Sequence, residues 1–452
     1  MDSLAIKPKN ITVYVYNIVE DEWDFLNAYT DSSHRLKDIE DSESTREGFF
    51  LAAAAAAADF VYISPQPIAA DFQTYARSLF NYKHGQIIVP KTRTHELCLD
   101  LIQDPISWRR LITLALNYQH VTLLAYSATP QFYRLMKVLA KACIKFRTPE
   151  TPSLESAWTV NFFGSKSGIR QMAGLAMPDG LICSGKLEAS RIAAGKYIKN
   201  HGVVIKSNNG SSSNGLLIYR KNSLPDNYSA CAAKLEAIFG RESYWEKFPV
   251  VVEDLINVNS AIDGGFPSIE FKIKGRGRVE MLFHGVLAVT DKGEYYGMDV
   301  NESLLPKRLK TQMLTIGNRL AKQFAAAGYR GHFDIDMIAA KNGRLYISES
   351  NTRNTGWTDI YKIVKKLIGN NWFNQVYVLN REYIRFPKNR RTNLNDLLTG
   401  LSSLIYSPQT KKGIIINSEA FLKSKHLYYT IIAPDKQSAY ACQKKMMKLL
   451  GN

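Results

Sequence analysis

The sequence predicts an α/β parallel-sheet unit followed by α+β units, and three observations carry this. In the first third, short apolar stretches alternate with helical ones, the βαβ rhythm of a parallel sheet. From about residue 160 to 376 the chain is rich in strands and glycine loops. From about residue 383 it pairs two strands with an amphipathic helix. The expected divisions are 1–150, 151–380 and 381–452, with the two prolines of 148–152 marking the first linker.

The elements follow in order. Residues 11–16 (ITVYVY), 60–63, 86–89 and 121–126 (VTLLAY) read as buried strands. Residues 72–80, 108–116 and 131–143 read as helices. The polar stretch 31–46 reads as a loop. Residues 52–58 are seven consecutive alanines. They are a helix by propensity, or a stand-in for residues of unclear identity, and no expectation rests on them. Near the end, 413–417 and 427–433 read as a strand pair. The last helix sets Ala439, Cys442, Met446 and Leu449 on one face. There is no internal repeat.

With 452 residues, the chain has room for two or three domains and a large core. A net charge of +17 favours anionic partners. Its basic clusters, Lys388-Asn389-Arg390-Arg391 and Lys444-Lys445, are short and not interleaved with aromatic residues. They read as solvated surface, which argues against a nucleic-acid partner. No apolar run approaches the roughly 20 residues that span a bilayer, so no membrane partner is expected. The nearest, 49–58, stops at Asp59. The N-terminus, MDSLAIKPKN, lacks the layout of a secretory signal. Five cysteines without a CxxC pair point to buried thiols in a reducing cytoplasm. Oligomeric state is left open, a homo-oligomer included.

The most informative segment is 333–353, FDIDMIAA-KNGR-LYISESNTR. Asn342-Gly343 signals a tight hairpin turn. That turn would set Lys341 against Arg344, Asp336 against Glu349 and Asp334 against Asn351. Side chains alternate along a strand, so these acidic and amide groups share one face. Facing carboxylates repel, and they suit a hard cation such as Mg²⁺ that takes oxygen ligands and bridges to phosphates. Acidic residues on a wet hairpin face are the plain alternative. Asp334 either supports Asn351, binds a second metal or faces solvent.

Upstream, residues 202–219 read GVVIKSNNGSSSNGLLIY, two strands joined by a glycine–serine loop. Gly210 lets backbone N–H groups curl around an anion, and Ser211, Ser212 and Ser213 can donate further hydrogen bonds. Lys206 stands at the mouth of the loop, where an ammonium can neutralise phosphate oxygens. A flexible hairpin is the alternative reading. Residues 249–256 (PVVVEDLI) form an apolar strand ending in acidic residues, which can offer backbone groups to an adenine edge. Lys166 lies between small residues in GSKSGIR, within reach of a phosphate if that segment turns.

The order of these parts resembles the ATP-grasp superfamily. That resemblance implies an ATP-grasp fold with an N-terminal pre-ATP-grasp parallel-sheet domain and a small C-terminal α+β domain. It implies ATP and Mg²⁺, with the metal on Asp336, Glu349 and Asn351. It implies phosphate contacts from Lys166, Lys206 and the Gly210 loop, and an adenine hinge at Glu253, Asp254, Leu255 and Ile256. Arg353 matches the arginine that steadies the transferring phosphate. Within the superfamily, SPQPIAADFQTYARSLF, FGSKSGIRQMAGLAMPDG, FPSIEFKIKGRGRVEMLFHGVLAVTDKGEYYGMD and the tail KGIIINSEAFLKSKHLYYTIIAPDKQSAYA resemble the pre-ATP-grasp/ATP-grasp peptide ligases of pheganomycin biosynthesis. This chain departs from that pattern at His284-Gly285-Val286 and at Asn354-Thr355-Gly356-Trp357-Thr358-Asp359. Both segments are expected to line the acceptor side of the cleft.

The implied activity is ATP-dependent ligation of a small-molecule or peptide carboxylate to an amine through an acyl phosphate. A phosphotransferase or kinase on the same fold is the first rival. A nucleotide- or nucleic-acid-binding module, suggested by the positive charge, is the second.

Overall fold

The structure, a computed structural model, describes residues 9–210, 214–386, 388, 391, 393–422 and 425–451. Ser211, Ser212 and Ser213 therefore lie outside the described residues.

Among the described residues, three sheets organise the chain. The first is parallel and has five strands: β1 (Asn10–Val15), β2 (Asp59–Ile63), β3 (His84–Ile88), β4 (His120–Ala125) and β5 (Phe146–Arg147), in the order β3-β2-β1-β4-β5. Its crossovers carry the helices Ala70–Phe80, Pro105–Leu116 and Pro130–Lys141, which bury the sheet on both faces as parallel pairing requires. The stretch expected as a polar loop is instead a helix, Ser32–Glu43. Asp31 caps it by accepting from Ser33 N at 2.7 Å, and Ile39 alone among its apolar residues is buried. The apolar pattern was too sparse to show it. The alanine run lies mostly in the helix Arg46–Ala56, where Ala52, Ala53 and Ala54 are buried. Small side chains let this helix pack closely on the helix Gly356–Ile368.

The second sheet has four strands, β6 (Gly180–Cys183), β7 (Gly202–Ser207), β8 (Leu216–Arg220) and β9 (Val250–Asp254), in the order β6-β9-β7-β8. The third has eight: β10 (Pro267–Lys274), β11 (Arg278–Val289), β12 (Tyr295–Val300), β13 (Gly331–Ala339), β14 (Leu345–Asn351), β15 (Tyr377–Arg385), β16 (Gly413–Ser418) and β17 (His426–Ala433). Their order is β14-β13-β10-β11-β12-β15-β17-β16. Residue 380 falls inside β15, and the C-terminal strands extend the sheet that holds the acidic hairpin. The last helix, Lys436–Leu449, buries Ala439 and Met446, whereas Leu449, expected on the same face, is 40% exposed.

Alternation sets the two faces of the hairpin. Phe333, Ile335 and Met337 point to a core shared with the helix Lys307–Ala326. Phe271 stacks on Phe333 at 5.3 Å between ring centroids, and Phe163 on Phe324 at 4.0 Å. Each such pair contributes about 0.5–1.5 kcal/mol beyond its burial. The opposite face, with Asp334 and Asp336, is left to a cleft between the second and third sheets. No helix among the described residues is long and apolar enough to cross a membrane.

Candidate active site

The cleft has a volume of about 1110 Å³. Its walls include Lys166, Lys206, Gly210, Glu253, Asp254, Leu255, Ile256, Asp336, Glu349, Asn351 and Arg353. Every described residue singled out from the sequence for phosphate, adenine or metal thus reaches one space.

The hairpin brings Asp336 opposite Glu349 and Asp334 opposite Asn351, as read from the sequence. The route to that register differs. The loop has three residues, 341–343, not two: Ala340 N donates to Arg344 O at 2.9 Å and Gly343 sits at φ 79°. A bulge then restores the count, because Asp336 faces Glu349 while Met337 faces Ile347, leaving Ser348 as the extra residue. The two irregularities cancel at the acid pair. The bulge also points Ser348 O at the second sheet, where it accepts from Lys206 Nζ at 2.9 Å.

Lys206 is buried on β7 and also pairs with Glu253 at 2.9 Å. Arg170 reaches the other oxygen of Glu253 at 3.3 Å. Glu253 therefore ties two cations together. Its backbone is committed as well, since it pairs with Gly180 on β6 and Val204 on β7. Asp254 is held by Lys196 at 2.7 Å and Asn200 at 2.9 Å. Of the four hinge residues, Leu255 and Ile256 lie past the end of the strand on the cleft wall.

Lys166, expected in a turn, is the first residue of the helix Lys166–Ala173, capped by Ser165. Its backbone N donates to Asn208 O at 3.1 Å, and Ser167 N to Asn208 Oδ1 at 2.9 Å. The base of the glycine loop is thereby fastened to this helix start. At Gly210 an added Cβ would stand 2.4 Å from Asn214 O, so the close fold of the loop requires glycine.

The electrostatics converge on the hairpin. Burial and the facing Glu349 push the Asp336 carboxyl up to about 7. Burial, then Asp336 and Glu270, raise Asp334 well above the ordinary range. Burial opposes ionisation of Glu349, but the Lys166 ammonium in contact with it outweighs this and holds Glu349 low. Arg353 donates to Asn351 Oδ1 at 2.9 Å and to Tyr126 OH at 3.1 Å, and pairs with Asp21 at 3.2 Å. Asn351 Nδ2 in turn donates to Asp334 Oδ1 at 2.9 Å, the supporting role first considered for Asp334.

Two facing carboxylates and an amide are oxygen donors of the kind a divalent cation takes, although among the described residues no group of three or more His, Cys, Asp or Glu is gathered as a metal site. Asp336 Oδ1 is buried with no hydrogen-bond partner. The ammonium of Lys166 and the guanidinium of Arg353 already rest on Glu349 and Asn351, so the pocket takes positive charge. Lys166 was expected on phosphate and is found on a carboxylate instead. It would have to leave Glu349 for a metal to use both oxygens.

No known protein family and no curated protein sequence matches the chain. Solved structures do. An N5-carboxyaminoimidazole ribonucleotide synthetase in its ADP complex aligns over 99% of this chain and 98% of its own, with TM-score 0.54 and 11% identity. A biotin carboxylase from Campylobacter jejuni, in a β,γ-ATP complex, aligns over 98% and 91%, with TM-score 0.56 and 13% identity. The biotin carboxylase domain of Hydrogenobacter thermophilus 2-oxoglutarate carboxylase, with MgADP, ADP and bicarbonate, aligns over 95% and 87%, with TM-score 0.53 and 13% identity. These neighbours are ATP-grasp enzymes. The chain has the ATP-grasp fold.

The ATP-grasp cleft holds polar groups the sequence did not reveal. Glu270 on β10 lies beside Asp334, and Ser268 beside Asp336. Glu270 accepts from Thr358 Oγ1 at 2.8 Å and bonds His332 Nδ1 at 3.0 Å. The alternation of SIEFKIK could have placed Glu270 opposite the apolar set, but not beside Asp334, which needs the pairing of distant strands. Of the two departing segments, Thr355, Gly356 and Trp357 line the cleft. His284, Gly285 and Val286 do not; Phe283 and Leu287 on either side of them do. His284 is buried against Phe373.

Proposed function

We propose that the chain is an ATP-dependent carboxylate–amine ligase. The observation that supports this most is the meeting of Asp336, Glu349 and Asn351 with Lys166, Lys206 and Arg353 in one cleft on an ATP-grasp fold. Acidic oxygens ringed by three cations suit a metal–triphosphate better than any uncharged ligand.

In this reading Asp336, Glu349 and Asn351 would hold Mg²⁺, which would supply charge neutralisation at the phosphates. Lys166 and Lys206 would turn from Glu349 and Glu253 to bind the phosphates. The glycine loop closes over them and excludes water that would otherwise hydrolyse ATP. Leu255 and Ile256 offer backbone groups to the adenine edge. A substrate carboxylate oxygen attacks the γ-phosphorus as the bond to ADP breaks, giving an acyl phosphate. An amine then attacks the acyl carbon, phosphate leaves and the nitrogen loses a proton. Arg353 stabilises the transferring oxygens, since its planar fork fits phosphate bidentately. Catalysis is mostly positioning and charge neutralisation.

The narrower likeness to peptide ligases of the pheganomycin kind makes amino acids and peptides the first substrates to test. Five free cysteines, three of them buried, suit a reducing cytoplasm. The deciding experiment follows ADP and phosphate release with a panel of acids, with and without amines, and mass spectrometry of the products. A ligase releases phosphate in step with a product lighter than its parts by one water. Phosphate transfer to the acid that persists without an amine, and no amide with one, would instead support a kinase.

A further inference from the structure

A second polar group lines the same cleft and is absent from the scheme above. It comprises Glu382 and Tyr383 on β15, Tyr428 on β17, Tyr295 on β12 and Trp357 at the start of the helix Gly356–Ile368. Glu382 is only 6% exposed, yet its Oε1 has no hydrogen-bond partner. Trp357 Nε1 is likewise buried and unpartnered, and so is Tyr295 OH. An unserved buried carboxylate oxygen carries the full cost of its lost hydration.

Tyr428 hydrogen-bonds Glu382, but no cation pairs with it among the described residues. Asp359, fully buried, accepts from Tyr428 OH at 3.1 Å and adds a second carboxyl. Burial pushes Glu382 up to about 7, and burial followed by Glu382 raises Asp359 further. Arg381, next in the chain, is committed to Asp299 at 2.7 Å. Lys362 Nζ donates to Asn354 Oδ1 at 3.3 Å. Among the described residues no ion pair to Glu382 or Asp359 is found. The helix start lies close, since a Cβ on Gly356 would stand 2.7 Å from Glu382 Oε1, but no N–H there serves that oxygen.

The backbone is bent to present these groups. Arg381 faces Tyr429 and Ile384 faces Leu427, so Glu382 and Tyr383 together oppose Tyr428. In a regular strand they would point to opposite faces; here both line the cleft. Tyr383 takes φ 54°, a left-handed conformation that is costly for a bulky residue.

We propose that Glu382, backed by Asp359 and flanked by Trp357 and Tyr295, is the subsite for a cationic nitrogen on the ligase's substrate. Glu382 Oε1 and Tyr295 OH accept from the nitrogen. Trp357 Nε1–H donates to a neighbouring carbonyl or carboxylate oxygen of the same molecule. A positive nitrogen next to a carbonyl is the amino end of an amino acid or peptide. The assignment rests on the cleft being the ligase active site, and it names the class of substrate that site takes.

The test uses the full chain and two probes at about pH 7.3, where Glu382, pushed up to about 7, is largely ionised and an α-amine is still largely protonated. L-phenylalaninamide carries the cation and the carbonyl; 3-phenylpropanamide is its neutral des-amino analogue. Calorimetry should show the charged probe binding at least tenfold more tightly. Glu382→Gln should remove that preference, and Trp357→Phe should weaken the charged probe severalfold. Equal affinity for both probes in the unaltered protein would overturn the subsite, and this comparison needs no variant to fold. A preference that survives Glu382→Gln would overturn it too. A fluorescent ATP analogue titrated into the same samples separates the two ideas. If the analogue binds but the charge preference is missing, the subsite fails and the ligase reading stands. If the charge preference is present and Glu382-dependent but the analogue does not bind, Glu382 binds a cationic nitrogen, and the ligase reading fails together with the naming of that nitrogen as part of a ligase substrate.

Discussion

Asp336 is in tension with the fold that holds it. Asp336 is half-buried and faces Glu349, and its buried Oδ1 is left unserved. Removing that charge should relieve repulsion and remove function together. Asp336→Asn is expected to leave Tm unchanged or a few degrees higher while turnover falls by roughly 10²–10³-fold or more. Thermal melts and product formation measured on the same preparation check both halves. His284 predicts a different dependence. Burial, then Lys310, lowers it from the ordinary 6.5 to about 4, and both ring nitrogens are unpartnered. It stays neutral when folded but gains a proton when unfolded. Its contribution is therefore complete above about pH 6.5 and is lost as pH falls toward 4, by roughly 3 kcal/mol in all. Urea unfolding at pH 7 and near pH 4.5 should show His284→Phe losing much less stability across that interval than the unaltered chain.

At the scale of elements, the hairpin shows how far sequence reasoning reaches. Period-two alternation and Asn342-Gly343 marked the strands, and the facing of Asp336 with Glu349 and Asp334 with Asn351 was legible from residue order. The three-residue loop and the Ser348 bulge were not, because they depend on the ladder each strand finds. Likewise the bulge at Glu382 and Tyr383 leaves no local mark in REYIRF. The helix Ser32–Glu43 was missed because it buries Ile39 and few other apolar groups. The bulge makes a sharp prediction. Without Ser348, the pairs Ile347–Met337 and Glu349–Asp336 become consecutive rungs of a regular ladder, so deleting it should keep Glu349 and Asn351 on the cleft face. What it removes is the carbonyl and hydroxyl that accept from Lys206. Metal binding at the hairpin should persist while ATP affinity, read by calorimetry, falls severalfold. Loss of metal binding would mean that the bulge itself holds the acid pair in place.

At the scale of the molecule, the cleft joins parts far apart in sequence, which is why its acceptor side was hidden. The side proposed for the nucleotide was legible since each part announces itself locally: a lysine between small residues, a glycine loop, an acidic hairpin. The N-terminal unit reaches the loop directly, with Asn214 Nδ2 donating to Asp38 at 2.9 Å and Gly215 packed on Phe25. This tether would help the loop to close over ATP. Asp38→Ala is expected to raise ADP release without an amine severalfold and to lower the yield of amide per ATP. Coupling unchanged by that substitution would show that the loop closes without it.

If the hairpin oxygens hold a divalent ion that grips a triphosphate, ATP should bind here only with the metal. The most direct test is Mn²⁺ electron paramagnetic resonance with calorimetric ATP titration, on the unaltered chain and on the double variant Asp336→Asn, Glu349→Gln. The unaltered chain should show metal-dependent ATP binding with protein-bound Mn²⁺, and the double variant should lose both. ATP binding of equal strength without metal, or bound Mn²⁺ that persists in the double variant, would rule the hairpin out as the metal site.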